Sequence, residues 1–175
     1  MLRWCTAFVF RPHAAWWARS CVQARNKSSD MAISQNVRFY CEAQTETDVE
    51  HPPGAAIAKV LRRGLMDKGW RVSELDNWRD CGWVFVSGRN DAELQVVFAQ
   101  MAMRWHWLLQ LSPNYLSGFL GRLFGKKPSA SPVDVYAAAR DLHEIISRLA
   151  CSQIYWCWDD IPNENNSNQE PTEPS

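Results

Sequence analysis

At 175 residues the chain is long enough for one domain with a sizeable core and too short for two independent enzyme-sized domains. Nineteen basic residues balance nineteen acidic ones, so the global charge demands neither nucleic acid nor an anionic membrane as partner. No apolar run reaches the roughly 18 to 20 residues needed to span a bilayer, and six cysteines, at positions 5, 21, 41, 81, 151 and 157, contain no CxxC pair and no framework spacing.

Cys41, Cys81 and Cys157 fall in expected strands and read as small buried hydrophobes in a reducing compartment, which implies a cytoplasmic protein. The neutrality is a sum of unlike parts. Residues 1–30 carry five Arg or Lys against one Asp, residues 31–159 carry fourteen of each sign, and residues 160–175 carry four acids and no base.

Residues 1–33 read as an extension outside the domain, with scattered aromatics and the polar run Asn26-Lys27-Ser28-Ser29-Asp30 before Met31. Three readings compete: a translation start upstream of a functional start at Met31, a basic targeting segment, or an extra helix on the domain. Residues 6–10 make a poor secretory core, interrupted at once by Arg11 and Pro12. If the segment is dispensable, Cys5, Cys21 and His13 leave the functional candidates.

The domain is expected over 34–159. Residues 36–44, NVRFYCEAQ, alternate as a strand, with Val37, Phe39 and Cys41 on one side and Arg38, Tyr40 and Glu42 on the other. An acidic loop with Glu46, Asp48 and Glu50 follows, closed by Pro52-Pro53. A helix is expected over 54–68, with Ile57, Val60, Leu61 and Leu65 as its apolar stripe and Gly69 as its stop. A short strand over 70–76 then leads into a turn at Asn77-Trp78-Arg79-Asp80.

The stretch 81–111 is the organising element. CGWVFV and AELQVVFAQ flank Gly88-Arg89-Asn90-Asp91 as a hairpin, and a third strand follows, with Arg104, His106 and Leu108 opposed to Trp105, Trp107 and Leu109. Both sides of these strands are apolar, so they are central strands or a partner covers one face. Pro113 ends the region, and residues 114–125 form a short, apolar, helix-like connector. Ser131-Pro132-Val133-Asp134 is a helix start, with Ser131 as cap, Pro132 in the first turn and Asp134 completing a permissive capping box. That helix runs to about residue 150 with Val135, Ala139, Leu142, Ile145, Ile146 and Leu149 as its buried stripe, and Arg140, Asp141, Glu144 and Arg148 largely outside. Residues 153–158 form the last strand. Residues 160–175 are polar, rich in Pro and Asn, and expected to be disordered because they cannot repay the entropy of ordering.

The fold class is therefore α+β: a two-layer sandwich with a mostly antiparallel sheet, two long helices on one face, an extra short helix and a ferredoxin-like β-α-β-β-β-α-β order. That order carries no function. If the helices cover the side of Phe39, Trp83, Val96 and Trp107, the other side still carries Tyr40, Val84, Val97, His106, Leu108 and Tyr155.

Catalytic signals are weak. The chain has no GxGxxG, phosphate-binding glycine loop, HExxH, GxSxG or metal-spaced Cys/His cluster, and no cofactor is implied. His106 with Cys157 is a conceivable base and nucleophile, although a half-buried strand histidine and a core cysteine explain both. Asp159-Asp160 after the last strand could hold a cation or supply acid and base. His143 and Glu144 are adjacent on a helix and do not face each other. Ten tryptophans ask for an account, and Trp105/Trp107 and Trp156/Trp158 are spaced to share a strand face. They form either an aromatic core beneath the helices or an aromatic-lined groove.

Three functions follow. The first is a non-catalytic protein-binding module, most simply a homodimer, with an inhibitor- or immunity-type protein as a specialised form. The second is a small enzyme or ligand-binding domain with a cleft beside the 114–125 connector. The third is an RNA-binding sheet surface using rings beside Arg38 and Arg104, disfavoured because no basic stripe accompanies the aromatics. Candidate binding residues are Tyr40, His106, Trp105, Trp107, Trp156, Trp158 and Asp159, with no catalytic or metal residue assigned.

Overall fold

The computed structural model describes residues 33–42, 52–103, 105–114 and 130–174. The expected extension, the acidic loop at Glu46, Asp48 and Glu50, Arg104 and the 115–125 part of the connector lie outside these residues. In chain order the elements are β1 (Gln35–Cys41), α1 (Ala55–Asp67), β2 (Arg71–Val72), β3 (Asp76–Asn77), β4 (Gly82–Arg89), β5 (Ala92–Gln100), β6 (His106–Pro113), α2 (Pro132–Arg148) and β7 (Cys151–Trp158).

The strands form one sheet in the order β2-β4-β5-β6-β1-β7, with β3 also pairing with β4. Every pairing between them is antiparallel. Both helices pack on the side of Phe39, Phe85, Val96, Phe98, Trp107 and Leu109, and these side chains join the helix stripes in a single core cluster. The fold is thus a two-layer α+β sandwich with a roughly ferredoxin-like element order, as the alternation pattern and the two helical stripes implied.

Local chemistry explains the element ends. Ser131 Oγ accepts from Asp134 N, and the Asp134 carboxylate accepts from Ser131 N at 2.8 Å, closing a capping box at the start of α2. The β4–β5 hairpin turns through Asn90 and Asp91, with Asn90 at φ 53 in the left-handed region that asparagine tolerates. The strand expected over 70–76 splits into β2 and β3. Ser73 Oγ there takes the Val86 N–H at 2.9 Å, while Leu75 turns against the core. On α1, Ala58 takes a place in the buried stripe and Val60, expected inside, is 43% exposed.

The most consequential departure concerns α2. Asp141, expected on the solvated side, is only 19% exposed and gathers Trp70 Nε1 at 2.8 Å, Arg89 Nη2 at 2.9 Å and Lys68 Nζ at 3.3 Å. Arg89 also lies 4.1 Å over the Trp70 ring. One carboxylate on α2 therefore holds the chain after α1 and the end of β4. Lys68 also reaches Glu144 at 2.6 Å, and this hydrogen bond raises the Lys68 ammonium above its ordinary range and lowers the Glu144 carboxyl. Replacing Asp141 by Ala leaves a mostly buried indole N–H and two partly buried cations without their partner, which is expected to cost about 2 kcal/mol in urea unfolding. Arg63→Ala, which breaks only the exposed Arg63–Asp67 pair, is expected to cost under about 0.5 kcal/mol in the same measurement.

The C-terminal residues correct the expectation of a disordered tail. Asn168 forms a two-way backbone bridge with Trp156 at 2.7 and 2.9 Å on the outer edge of β7. Thr172 O accepts from Gln35 Nε2 and from Trp158 Nε1, each at 3.1 Å. The tail thus supplies partners to polar groups on the helix side of the sheet that would otherwise be left without them.

Candidate functional site: the sheet face opposite the helices

Alternation along each strand places a second set of side chains on the face that neither helix covers. Tyr40 is opposite His106, Arg38 lies between Leu108 on β6 and Tyr155 on β7, and Val84 is opposite Val97. The Tyr40 and His106 rings meet edge to face at 5.4 Å. Arg38 lies with its guanidinium carbon 5.2 Å from the centre of the Tyr155 ring, and its Nε is buried without a hydrogen-bond partner. Tyr40 Oη donates to Glu42 Oε1, and this bond, then burial, raises the tyrosine hydroxyl above its ordinary range.

The face is graded in exposure. Gln95, Val97, Ser112, Asn36 and Cys157 are buried, whereas Arg38, Tyr40, Val84, Val86, Ala99, His106, Leu108 and Tyr155 are half-buried. Arg38, on the strand next to the β7 edge, thus lies among Asn36, Tyr40, Leu108 and Tyr155, a mixture of polar, aliphatic and aromatic groups.

Several sequence candidates fall elsewhere. Trp107 and Trp156 are fully buried beneath the helices, so neither can touch a partner. Trp107 stacks on Phe98 at 5.0 Å and donates Nε1 to Cys41 O at 3.0 Å. Trp156 donates to His143 Nδ1 at 3.2 Å. The two tryptophan pairs do not form one row, because β1 separates β6 from β7. Trp105 precedes β6 at φ 67, which releases it from the strand alternation, and Trp158 packs on the core and is held by Thr172. Asp159 Oδ1 accepts from Ser34 N at 2.7 Å, while Asp160 takes Ile161 N at 2.7 Å and Asn166 Nδ2 at 3.2 Å. Each carboxylate of the expected acid-base pair is therefore engaged with its own local partners.

The His106–Cys157 pair is not assembled. His106 is opposite Tyr40 and Cys157 opposite Asn36, which separates them by roughly 13 Å along the strands as well as by two strand spacings. Burial pushes the Cys157 thiol up to about 11, and its Sγ–H donates to Asp160 O at 3.0 Å. Such a thiol is a poor nucleophile near neutrality. Of Tyr40, His106 and Cys157, only Tyr40 and His106 meet, and the connector that would wall an enzyme's cleft lies outside the described residues over 115–125.

A groove of about 480 Å³ runs instead along the outer edge of β7, lined by His143, Gln153, Ile154, Tyr155 and Glu170 among others. Among the described residues no group of three His, Cys, Asp or Glu side chains is placed to hold a metal ion. No helix among them is long and apolar enough to cross a membrane. For the RNA reading, Tyr40 and Tyr155 flank Arg38, but the two fully buried tryptophans belong to the other face. From sequence, Arg38 enters only as a cation beside the rings of the RNA reading, Leu108 only as part of the uncovered side, and Glu42 only in the strand alternation; none is among the candidate binding residues. The i,i+2 alternation groups Arg38, Tyr40 and Glu42 on one strand and His106 and Leu108 on another, but it does not say which face the helices leave uncovered.

In comparisons with known proteins, no family model matches the chain and no curated sequence matches it.

Proposed function

We propose that the protein is a non-catalytic protein-binding module whose recognition surface is the sheet face opposite the helices, and that it pairs through this face with a second copy of itself. The observation that carries this reading is Arg38, a guanidinium on the strand next to the β7 edge, between Leu108 and Tyr155, lying over the Tyr155 ring and buried at Nε without a hydrogen-bond partner. Arginine and tyrosine are the residue types that anchor interfaces, and a planar guanidinium is best satisfied by a carboxylate.

The chain carries a suitable carboxylate. Glu42 follows Arg38 by four residues on the same side of the β1 alternation and is exposed. A two-fold axis in the interface, passing near Tyr40 and perpendicular to β1, sets Arg38 of one copy opposite Glu42 of the other, twice. Leu108, Val84 and Ala99 supply the apolar surround. In an inhibitor- or immunity-type protein, a different chain with an acidic group in an apolar setting would take the place of the second copy. A cytoplasmic location accompanies this reading, supported by the irregular cysteine spacing.

Sedimentation of the full chain over a range of concentrations tests the pairing. The wild type is expected to show a concentration-dependent dimer, and Arg38→Glu to weaken it about 10- to 100-fold by setting like charges together. The double variant Arg38→Glu/Glu42→Arg is expected to recover most of the loss. A wild type that stays monomeric at high concentration overturns self-pairing, as does a charge swap that recovers nothing.

A further inference from the structure

Cys41 is the last residue of β1 and Cys151 the first of β7, and they are directly opposite each other in the antiparallel ladder. Opposed residues in such a ladder have Cα atoms about 4.5 or about 5.5 Å apart, depending on the pair type, and both separations fall within the range of about 4.4 to 6.8 Å that a disulfide spans. The two side chains share the helix-side face. Cys41 belongs to the core cluster at 7% exposure, and Cys151 packs against that cluster half-buried, so a small reagent has one sulfur within reach.

The thiols also interact. Burial, followed by a hydrogen bond with Cys41, raises the Cys151 thiol above the ordinary cysteine range. The other two cysteines among the described residues are occupied differently, with Cys81 Sγ donating to Trp78 O at 3.1 Å and Cys157 Sγ to Asp160 O at 3.0 Å.

We propose that Cys41 and Cys151 are a reversible cross-strand disulfide site, closed by exchange with a low-molecular-weight disulfide of the glutathione class and locking β7 onto β1. The Cys151 thiolate attacks one sulfur of the small disulfide, forming a mixed disulfide and releasing one small thiolate. The Cys41 thiolate then attacks the Cys151 sulfur, forming the Sγ–Sγ bond and releasing the second small thiolate. Two protein thiols lose two electrons, the small disulfide gains them, and the two protons leave on its thiols. Because Cys151 is half-buried and its thiol is raised, exchange in the folded protein is slow, and the closed bond is correspondingly shielded from reduction.

The bond closes a loop on the order of a hundred residues, which includes every element between β1 and β7. It would therefore restrict the unfolded chain strongly while asking little of the folded one.

The test equilibrates the full wild-type chain with oxidised glutathione, then blocks remaining thiols, maps linked peptides by mass spectrometry and measures Tm before and after reduction. The expected result is loss of two hydrogen atoms, a Cys41–Cys151 linked peptide, and a Tm higher by roughly 5 to 10 °C in the oxidised form. Cys151→Ala and, separately, Cys41→Ser should each abolish the linked peptide and the reducible part of Tm. The peptide map of the wild type stands even if a variant fails to fold. A glutathione adduct that persists on Cys151 without closing, a link through other cysteines, or an oxidised form that melts no higher overturns the proposal.

Discussion

Replacing Gly54 with alanine is expected to destabilise the protein by about 3 to 4 kcal/mol. Gly54 precedes α1 at φ 88, where an L side chain costs roughly 1 to 2 kcal/mol in backbone strain. A Cβ there would lie 2.4 Å from Trp107 Cζ3 and 2.9 Å from Phe98 Cε1. Those rings are the centre of the core, fully buried and stacked on each other and on Phe39. Overpacking of this kind costs a further 1 to 3 kcal/mol or so, because rigid rings in a close-packed interior have nowhere to go. Gly69→Ala isolates the backbone share: it has a similar φ of 85, but nothing lies within 4 Å of its added Cβ. Urea unfolding of the two variants should differ by about 2 kcal/mol, and equal losses would refute the packing account.

Truncation after Ile161 is expected to cost about 2 to 3 kcal/mol and to lower the urea m-value. The deletion removes the Asn168 bridge to Trp156 and the Thr172 carbonyl that serves both Gln35 and Trp158. Gln35 is fully buried, and a buried donor left without a partner costs about 1 to 3 kcal/mol, while each lost backbone bond is worth about 1 kcal/mol. Part of this is offset by the chain entropy that the tail no longer gives up. A tail that made no lasting contact with the domain would leave the midpoint unchanged. That single comparison separates the two descriptions of residues 162–175.

The tail shows why composition misleads when a partner lies far away in sequence. Asn, Pro and Glu provide little apolar area, so by itself the segment has no reason to order. What organises it is a set of polar groups on β1 and β7 that need acceptors, and no local pattern in the tail reports that need. Asp141 is a parallel case. On a helical wheel it belongs with Arg140 and Glu144 on the solvated side, yet Lys68 and Trp70 after α1 and Arg89 at the end of β4 converge on it from two places in the chain. The tryptophan pairs failed differently: spacing of i,i+2 correctly put Trp156 and Trp158 on one face, but neither strand order nor the left-handed residue at Trp105 is encoded in spacing.

The sequence by itself determined the elements. Period-two alternation in 36–41 and 82–111, two apolar stripes at helical spacing, a Ser-Pro-Val-Asp cap and a glycine stop are local consequences of backbone geometry and side-chain burial, and they appear almost where they were expected. Only the tertiary structure decided which face the helices take, that β1 divides β6 from β7, and that Cys41 meets Cys151. Those outcomes depend on contacts between residues up to a hundred or more positions apart. Each such contact is selected by the packing of the whole core, and the alternation of any one strand is equally satisfied by either answer.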